Sequence, residues 1–368
     1  MDVFEAAERR AASGAEVVRL EIGQPVTPAP AKVIKRAHEL LDANILGYGS
    51  THGTPELREA IAGHYRDWYG AEVDPHRVMT TVGASGAFTL AFLAAFDPGD
   101  RVALAVPGYP CYRNTLEAVG AEVVPLMSTL EDNFQPTAAL LESAHADAPL
   151  KGLIITSPSN PTGTMIAPSV LRDVIQWCEK NGVVVISDEI YHGLTYGEPA
   201  ATALATSSDV IIVNSFSKYF SMTGWRLGWT VVPENLVEPL VKFAANLLIA
   251  PPTLSLLAAP AAFEAHDELQ QHLGRYAENR SIMLDGLRAA GLTKLAPADG
   301  AFYVYADVSE LAPSGTELTE RWLAELGVAA TPGTDFDPIN GDDYVRFSFC
   351  GGTASVERGV ELLNSWRW

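Results

Sequence analysis

Lys218 is the residue around which chemistry can be organised. It stands just past the apolar run Val210–Val213 (VIIV), at the end of Asn214–Lys218 (NSFSK), with Arg226 eight residues further on. A lysine brought out of water beside other cations gives up its proton readily and becomes a base or nucleophile. Two other polar motifs follow apolar runs in the same manner: Ser157–Gly163 (SPSNPTG) after Leu153–Thr156 (LIIT), and Asp188–Tyr191 (DEIY) after Val183–Ser187 (VVVIS). Three strand ends carrying Asn, Asp, Tyr, Ser and Lys read as one binding site on one edge of a sheet. A fourth piece is Gly83-Ala84-Ser85-Gly86, ahead of the apolar stretch Ala87–Phe96. Small residues where a helix begins leave free N–H groups pointing outward, and that geometry accepts a phosphate.

The elements that must position these residues alternate. Short runs apolar on both faces, Arg101–Val106, Ala121–Pro125 and the three already named, suggest buried parallel strands. Amphipathic segments of helical length lie between them, such as Ser169–Asn181, whose Asn-Gly ending marks a helix stop. Repeated βαβ units predict an α/β fold with a mostly parallel, doubly wound sheet, whose ligands sit beyond the carboxyl ends of the strands. Past about Glu278 the pattern becomes helix followed by short alternating strands at Ala301–Asp307 and Tyr344–Phe349, which predicts a smaller α+β domain. The Pro- and Gly-rich Leu20–Pro30 reads as an extended arm. The expected division is 1–35 for an N-terminal helix and arm that join the small domain, 36–278 for the large domain, and 279–368 for the small one.

At 368 residues the chain exceeds the size at which one core usually stops growing, so two lobes around a cleft are expected. The formal net charge of −20 repels nucleic-acid backbones and anionic lipid surfaces, and reads as a highly solvated exterior. Cys111, Cys178 and Cys350 are odd in number and far apart, which suits neither a disulfide framework nor a zinc site and points to a reducing cytoplasm. The N-terminus reads as a charged helix rather than a leader, and no apolar run is long enough to span a bilayer. The eight histidines lack metal-ligand spacing, so no metal is expected.

The stretch Ser215–Gly228 (SFSKYFSMTGWRLG) resembles the lysine signature of the class I/II aminotransferases, enzymes of the aspartate aminotransferase fold that work through pyridoxal 5′-phosphate. Ser, Lys, Gly and Arg all match in register, and the family's motif order runs from Gly23 through Tyr48 and Asn160 to Arg346. The resemblance implies that Lys218 forms the covalent imine with the cofactor and later moves the proton at the substrate α-carbon. It implies that Asp188 pairs with the pyridine nitrogen, that Asn160 and Tyr191 bond the phenolic oxygen, and that Tyr109 stacks on the ring. The phosphate would lie among Gly83, Ala84, Ser85, Ser215, Ser217 and Arg226, with Tyr48 reaching across from the neighbouring subunit of a homodimer. Arg346 would grip the substrate carboxylate by a two-pronged bond, with Asn160 beside it and Gly23 closing over it.

An amino acid and a 2-oxo acid are thus the implied partners, joined by a lysine aldimine and a pyridoxamine-phosphate form of the cofactor. The runner-up is a pyridoxal-phosphate lyase, such as a C–S lyase, on the same fold, since fold does not settle the reaction. A regulatory protein that kept the fold is disfavoured by the intact lysine constellation. A nicotinamide oxidoreductase is disfavoured because no G-x-G-x-x-G follows the first strand. No second arginine for a dicarboxylate substrate can be picked out, so aspartate, aromatic and aliphatic donors all stay open.

Overall fold

A computed structural model describes residues 2–43 and 46–366. Among them the strands are β1 (Val18–Arg19), β2 (Val78–Thr81), β3 (Arg101–Val106), β4 (Glu122–Met127), β5 (Gly152–Thr156), β6 (Val184–Asp188), β7 (Ile211–Ser215), β8 (Gly228–Val231), β9 (Tyr303–Asp307), β10 (Val328–Ala329), β11 (Thr331–Pro332) and β12 (Tyr344–Ser348). Seven form one sheet in the order β2-β8-β7-β6-β5-β3-β4. From β7 to β4 every neighbouring pair is parallel, while β8 runs antiparallel to both β7 and β2. The expected mostly parallel α/β sheet is therefore present.

Its hydrophobic pattern explains its burial. Ile211 and Val213 face one apolar cluster with Ile154 and Ile186, whereas Ile212 faces another with Leu153 and Val185. Helices on both faces complete these clusters: Gly83–Ala95 supplies Phe88 and Phe92 to the first, and Pro168–Asn181 supplies Leu171 and Ile175 to the second. Each such fully buried side chain contributes roughly 1.5–3 kcal/mol of transfer free energy. Gly182 ends the helix Pro168–Asn181 in the left-handed region at φ 66°, as the Asn-Gly signal anticipates.

Two strands of this sheet escaped the sequence pattern. β2 (VMTT) and β8 (GWTV) are buried throughout, but they lack the run of Val and Ile that marks their neighbours. Only pairing with each other and with β7 reveals them. β4 begins at Glu122 and alternates in burial as an edge strand does, which is why it tolerates Pro125.

The second sheet, β11-β12-β9, is antiparallel and built by the later part of the chain. The arm joins it: β1 pairs in parallel with β10, and Ser348 N–H donates to Leu20 O at 2.6 Å. The helix His266–Ala289 runs without interruption through Glu278, so the change of sequence pattern falls inside a helix rather than in a linker.

Candidate active site

The large sheet switches direction between β3 and β5, because β4 lies on one side of β3 and all later parallel strands lie on the other. Such a switch point opens a crevice at the carboxyl ends of the strands. A cavity of about 300 Å³ occupies it, lined by residues that follow β3, β5, β6 and β7 and by residues of the arm and second sheet. Gly23, Ala84, Ser85, Tyr109, Asn160, Asp188, Tyr191, Ser217, Lys218, Arg226 and Arg346 all face it.

Asp188 is the last residue of β6, aligned with Thr156 of β5 and Val213 of β7. It is 2% exposed, and its Oδ2 accepts from the Tyr112 hydroxyl at 2.5 Å while Oδ1 accepts from Ile190 N–H at 3.0 Å. Burial pushes its carboxyl up to about 6, against the opposing pull of Tyr112, Ile190 N–H and Lys218. The carboxylate thus stabilises a local turn and presents charge to the cavity at once. Its neighbour Glu189 points away from the cavity into protein. There it accepts from Thr202 Oγ1 at 2.8 Å and Ala203 N–H at 2.9 Å, and burial pushes it up to about 8.

Lys218 lies three residues beyond β7, where its Nζ donates to Gly23 O at 2.6 Å. Its pKa is brought down to about 8, chiefly by burial, with Arg346 and Arg226 adding to the effect and Cys350 and Asp188 opposing it. An amine so placed is partly neutral near neutrality, as a base or nucleophile requires.

The phosphate-type cradle is present too. Gly83 opens the helix Gly83–Ala95 at φ +65°, and a Cβ there would stand 2.6 Å from Arg226 Nη2. Only glycine permits both that conformation and that approach. Arg226 itself is left-handed at φ 52°, and apart from Nη1 donating to Thr223 O its guanidinium is exposed. Ser215 does not reach the cavity: it is 1% exposed and its hydroxyl is shared with Ser217 Oγ at 2.9 Å, so it supports Ser217 from beneath. Tyr48 also lies outside the cavity, 87% exposed.

Arg346 sits on β12, 6% exposed, between the rings of Tyr303 and Phe336 at 4.5 and 4.7 Å. Nη1 donates to Asn160 Oδ1 at 2.9 Å, and Nη2 to Glu21 O at 2.5 Å and Thr331 Oγ1 at 3.1 Å. Its buried Nε–H has no partner among the described residues. A buried cation with an unspent donor suits a carboxylate ligand. The bond to Arg346 occupies the Asn160 amide oxygen and leaves its N–H₂ to donate elsewhere.

Sequence reasoning passed over five lining residues, two of them tyrosines. Tyr112 lies in the same PGYPCY segment as Tyr109, three residues on, and its distinguishing contacts, with Asp188 and Thr156, are long-range. Tyr303 read only as an apolar strand position, yet its hydroxyl meets that of Tyr191 at 2.9 Å. Phe88, Ile190 and Thr223 complete the wall.

Comparison with known proteins identifies the family. The family model for aminotransferase class I and II matches residues 15–363. A valine–pyruvate aminotransferase of Mycobacterium tuberculosis is 48% identical, over 100% of this chain and 95% of its own length. Among solved structures, an aminotransferase from Mycobacterium tuberculosis superposes with a TM-score of 0.97 at 48% identity, covering 100% of this chain and 95% of that one. The aspartate aminotransferase of Thermus thermophilus with maleate superposes with a TM-score of 0.93 at 30% identity, covering 99% and 95%. With a whole-length family match and a strand-end site of the matching kind, the chain belongs to the class I and II aminotransferases, and it is an enzyme that transfers amino groups.

Proposed function

We propose that the protein moves the amino group of an L-amino acid to a 2-oxo acid by means of pyridoxal 5′-phosphate held at Lys218. The observation that carries this reading is the convergence of Lys218, Asp188, Asn160, Tyr191, Arg226 and Arg346 on one cavity. The residues fit the cofactor: outward N–H groups of Ala84 and Ser85 with Ser217 and Arg226 for the phosphate, the Asp188 carboxylate for the ring nitrogen, and Asn160 and Tyr191 for the phenolic oxygen. Exposed Tyr109 offers an aromatic face above them. When bound, pyridoxal phosphate supplies an electron sink that acidifies the substrate α-C–H bond.

The chain supplies the rest. Lys218, its ammonium destabilised by burial, carries the proton to and from the α-carbon. Arg346 binds the carboxylate through its unspent N–H donors and so orients the α-carbon toward Lys218. The arm at Gly23 covers this pair and excludes water.

The cavity supports a donor with an uncharged side chain. Its cations are Lys218, Arg226 and Arg346, each already given a partner, and the remaining wall adds no further cation, joining aromatic and aliphatic residues to Ser85, Asn160, Asp188, Ser217 and Thr223. Likeness to a valine–pyruvate aminotransferase points the same way.

In this reading residues 1–35 act with 279–368 as a small domain against the large domain 36–278. Two copies form a homodimer in which Tyr48 serves the partner's phosphate site. Exposed Tyr48 lies near exposed Leu247, Leu248 and Ile249, since Thr51 Oγ1 donates to Ile249 O and Thr253 Oγ1 to Gly47 O, and this apolar patch supports an interface there. A cytoplasmic setting is supported by three free cysteines, and no helix of the described residues is long and apolar enough to cross a membrane.

The test is an absorbance spectrum of the purified protein, repeated with valine, alanine, phenylalanine and aspartate in the absence of oxo acid. Loss of the cofactor's visible band with one equivalent of oxo acid supports transfer, and the most effective amino acid names the donor. Catalytic release of ammonia or carbon dioxide would replace transfer by elimination or decarboxylation, and absence of any bound cofactor would overturn the reading.

A further inference from the structure

Gly23 is the one arm residue for which a side chain would strike the active-site wall. A Cβ on Gly23 would lie 2.0 Å from the Tyr303 hydroxyl oxygen, 3.0 Å from Cζ and 3.2 Å from Cε1. The same hydroxyl stands 2.9 Å from the Tyr191 hydroxyl, and the Tyr303 ring lies 4.5 Å from the Arg346 guanidinium carbon. Tyr303 is 1% exposed, so it has little room to turn aside. One side chain therefore touches the arm, the proposed carboxylate-binding arginine and the proposed phenolic-oxygen donor.

Resting on the function proposed above, we propose that Tyr303 is a positioning residue that couples these three: its ring seats Arg346, its hydroxyl orients the Tyr191 phenol, and the space its hydroxyl takes is the reason position 23 is glycine. A phenol has a single proton. If Tyr191 spends its own on a ligand oxygen, its lone pair must accept, and Tyr303 is then the donor of the pair. A Tyr191 that accepts from Tyr303 is the stronger donor toward the ligand. A planar guanidinium held over an aromatic face is also fixed in tilt, which matters for a two-pronged bond. Burial keeps both phenols protonated, since it raises the pKa of Tyr303 and of Tyr191 above the usual phenol value.

The experiment compares four proteins: wild type, Tyr303→Phe, Gly23→Ala and the double variant, with Tyr303→Leu as a probe of the ring. In Tyr303→Phe the pH midpoint of the bound cofactor's visible band rises, corresponding to about a 3- to 10-fold weaker donor. Affinity for 3-methylbutanoate, an unreactive carboxylate, stays within about 2-fold of wild type in Tyr303→Phe, because the ring remains over Arg346. Tyr303→Leu weakens that affinity about 3- to 30-fold.

Gly23→Ala lowers both carboxylate affinity and the melting temperature of the apoprotein, and adding Tyr303→Phe restores part of each loss, because the atom at 2.0 Å has been removed. Simple additivity of the two substitutions, or a Tyr303→Phe midpoint equal to wild type, overturns the proposal. If wild type binds no pyridoxal phosphate, the reading of function fails. The apoprotein melting temperatures then still decide whether Tyr303 and Gly23 are coupled.

Discussion

The two halves of the cavity are held by different forces. On the strand-end side, Asp188, Ser217 and Lys218 take their places from the register of β6 and β7, strands whose Val and Ile residues are buried on both faces. On the arm side the register ends with the short pairing of β1 and β10. Successive carbonyls from Leu20 to Gln24 are met one by one, by Ser348 N–H, Arg346 Nη2, Cys350 Sγ, Lys218 Nζ and again Cys350 Sγ. A thiol has one proton, so Cys350 donates to Ile22 O or to Gln24 O but not to both. Individual hydrogen bonds contribute a net ~1 kcal/mol each, whereas the sheet would have to lose its core to move. The lesson is that the strand-end side is the fixed frame and the arm side is the part able to move with ligand binding.

The largest test of that contrast removes a residue of the frame that also bonds the arm, through Gly23 O. Lys218→Ala should lower transamination by on the order of 10⁴-fold and abolish the visible band, while thermal melting stays near wild type because the frame does not depend on the amine. A pH series on the apoprotein sharpens the same point. Burial brings Lys218 from the usual 10.5 of a free lysine down to about 8 in the fold, so between those pH values the unfolded chain binds the extra proton and stability must rise with pH. Denaturation midpoints should show a gain on the order of 2 kcal/mol across that window, discounted because the amine faces an open cavity, and Lys218→Met should lack it.

On the arm side, Arg346→Lys keeps the charge but loses the planar fork. KM for amino acid and oxo acid should rise by about 10- to 100-fold with a smaller fall in kcat, as steady-state kinetics would report. Equal loss in kcat and kcat/KM would instead mark Arg346 as acting only in the transition state. The smallest effect is expected from Cys350→Ala, which removes the one thiol proton shared between the Ile22 and Gln24 carbonyls: about a 2- to 5-fold rise in KM with little change in melting temperature. A large loss of stability in that variant would break the distinction between frame and arm.

Most of the strand-end half was legible in the chain. The apolar runs before SPSNPTG, DEIY and NSFSK predict buried strands, and the observed β5, β6 and β7 differ from those runs by a residue or two at their ends. The glycine start of the helix at Gly83 was equally plain, because only small residues fit there. Tyr112 and Tyr303 were not legible. An aromatic in a helix or strand looks the same whether it fills a core or bonds a carboxylate, and their partners lie 76 and 112 residues away. Ser215 shows what a sequence hides about a hydroxyl beside the lysine: it is 1% exposed and its Oγ lies within bonding distance of Ser217 Oγ and Leu227 O.

By itself the sequence determined the βαβ order, the strand ends on which polar residues stand, and the lysine motif whose spacing sets it apart from surface lysines. Those are local properties, carried by hydrophobic period, by turn residues and by glycine. Only the tertiary structure decided that Glu189, beside the Asp188 singled out by the resemblance, is sealed against Thr202 and Ala203. It also decided that β2 and β8 complete the sheet, and that the arm reaches Lys218 and Arg346. These outcomes depend on contacts between residues far apart in the chain, where packing and desolvation act on neighbours that no local pattern can specify.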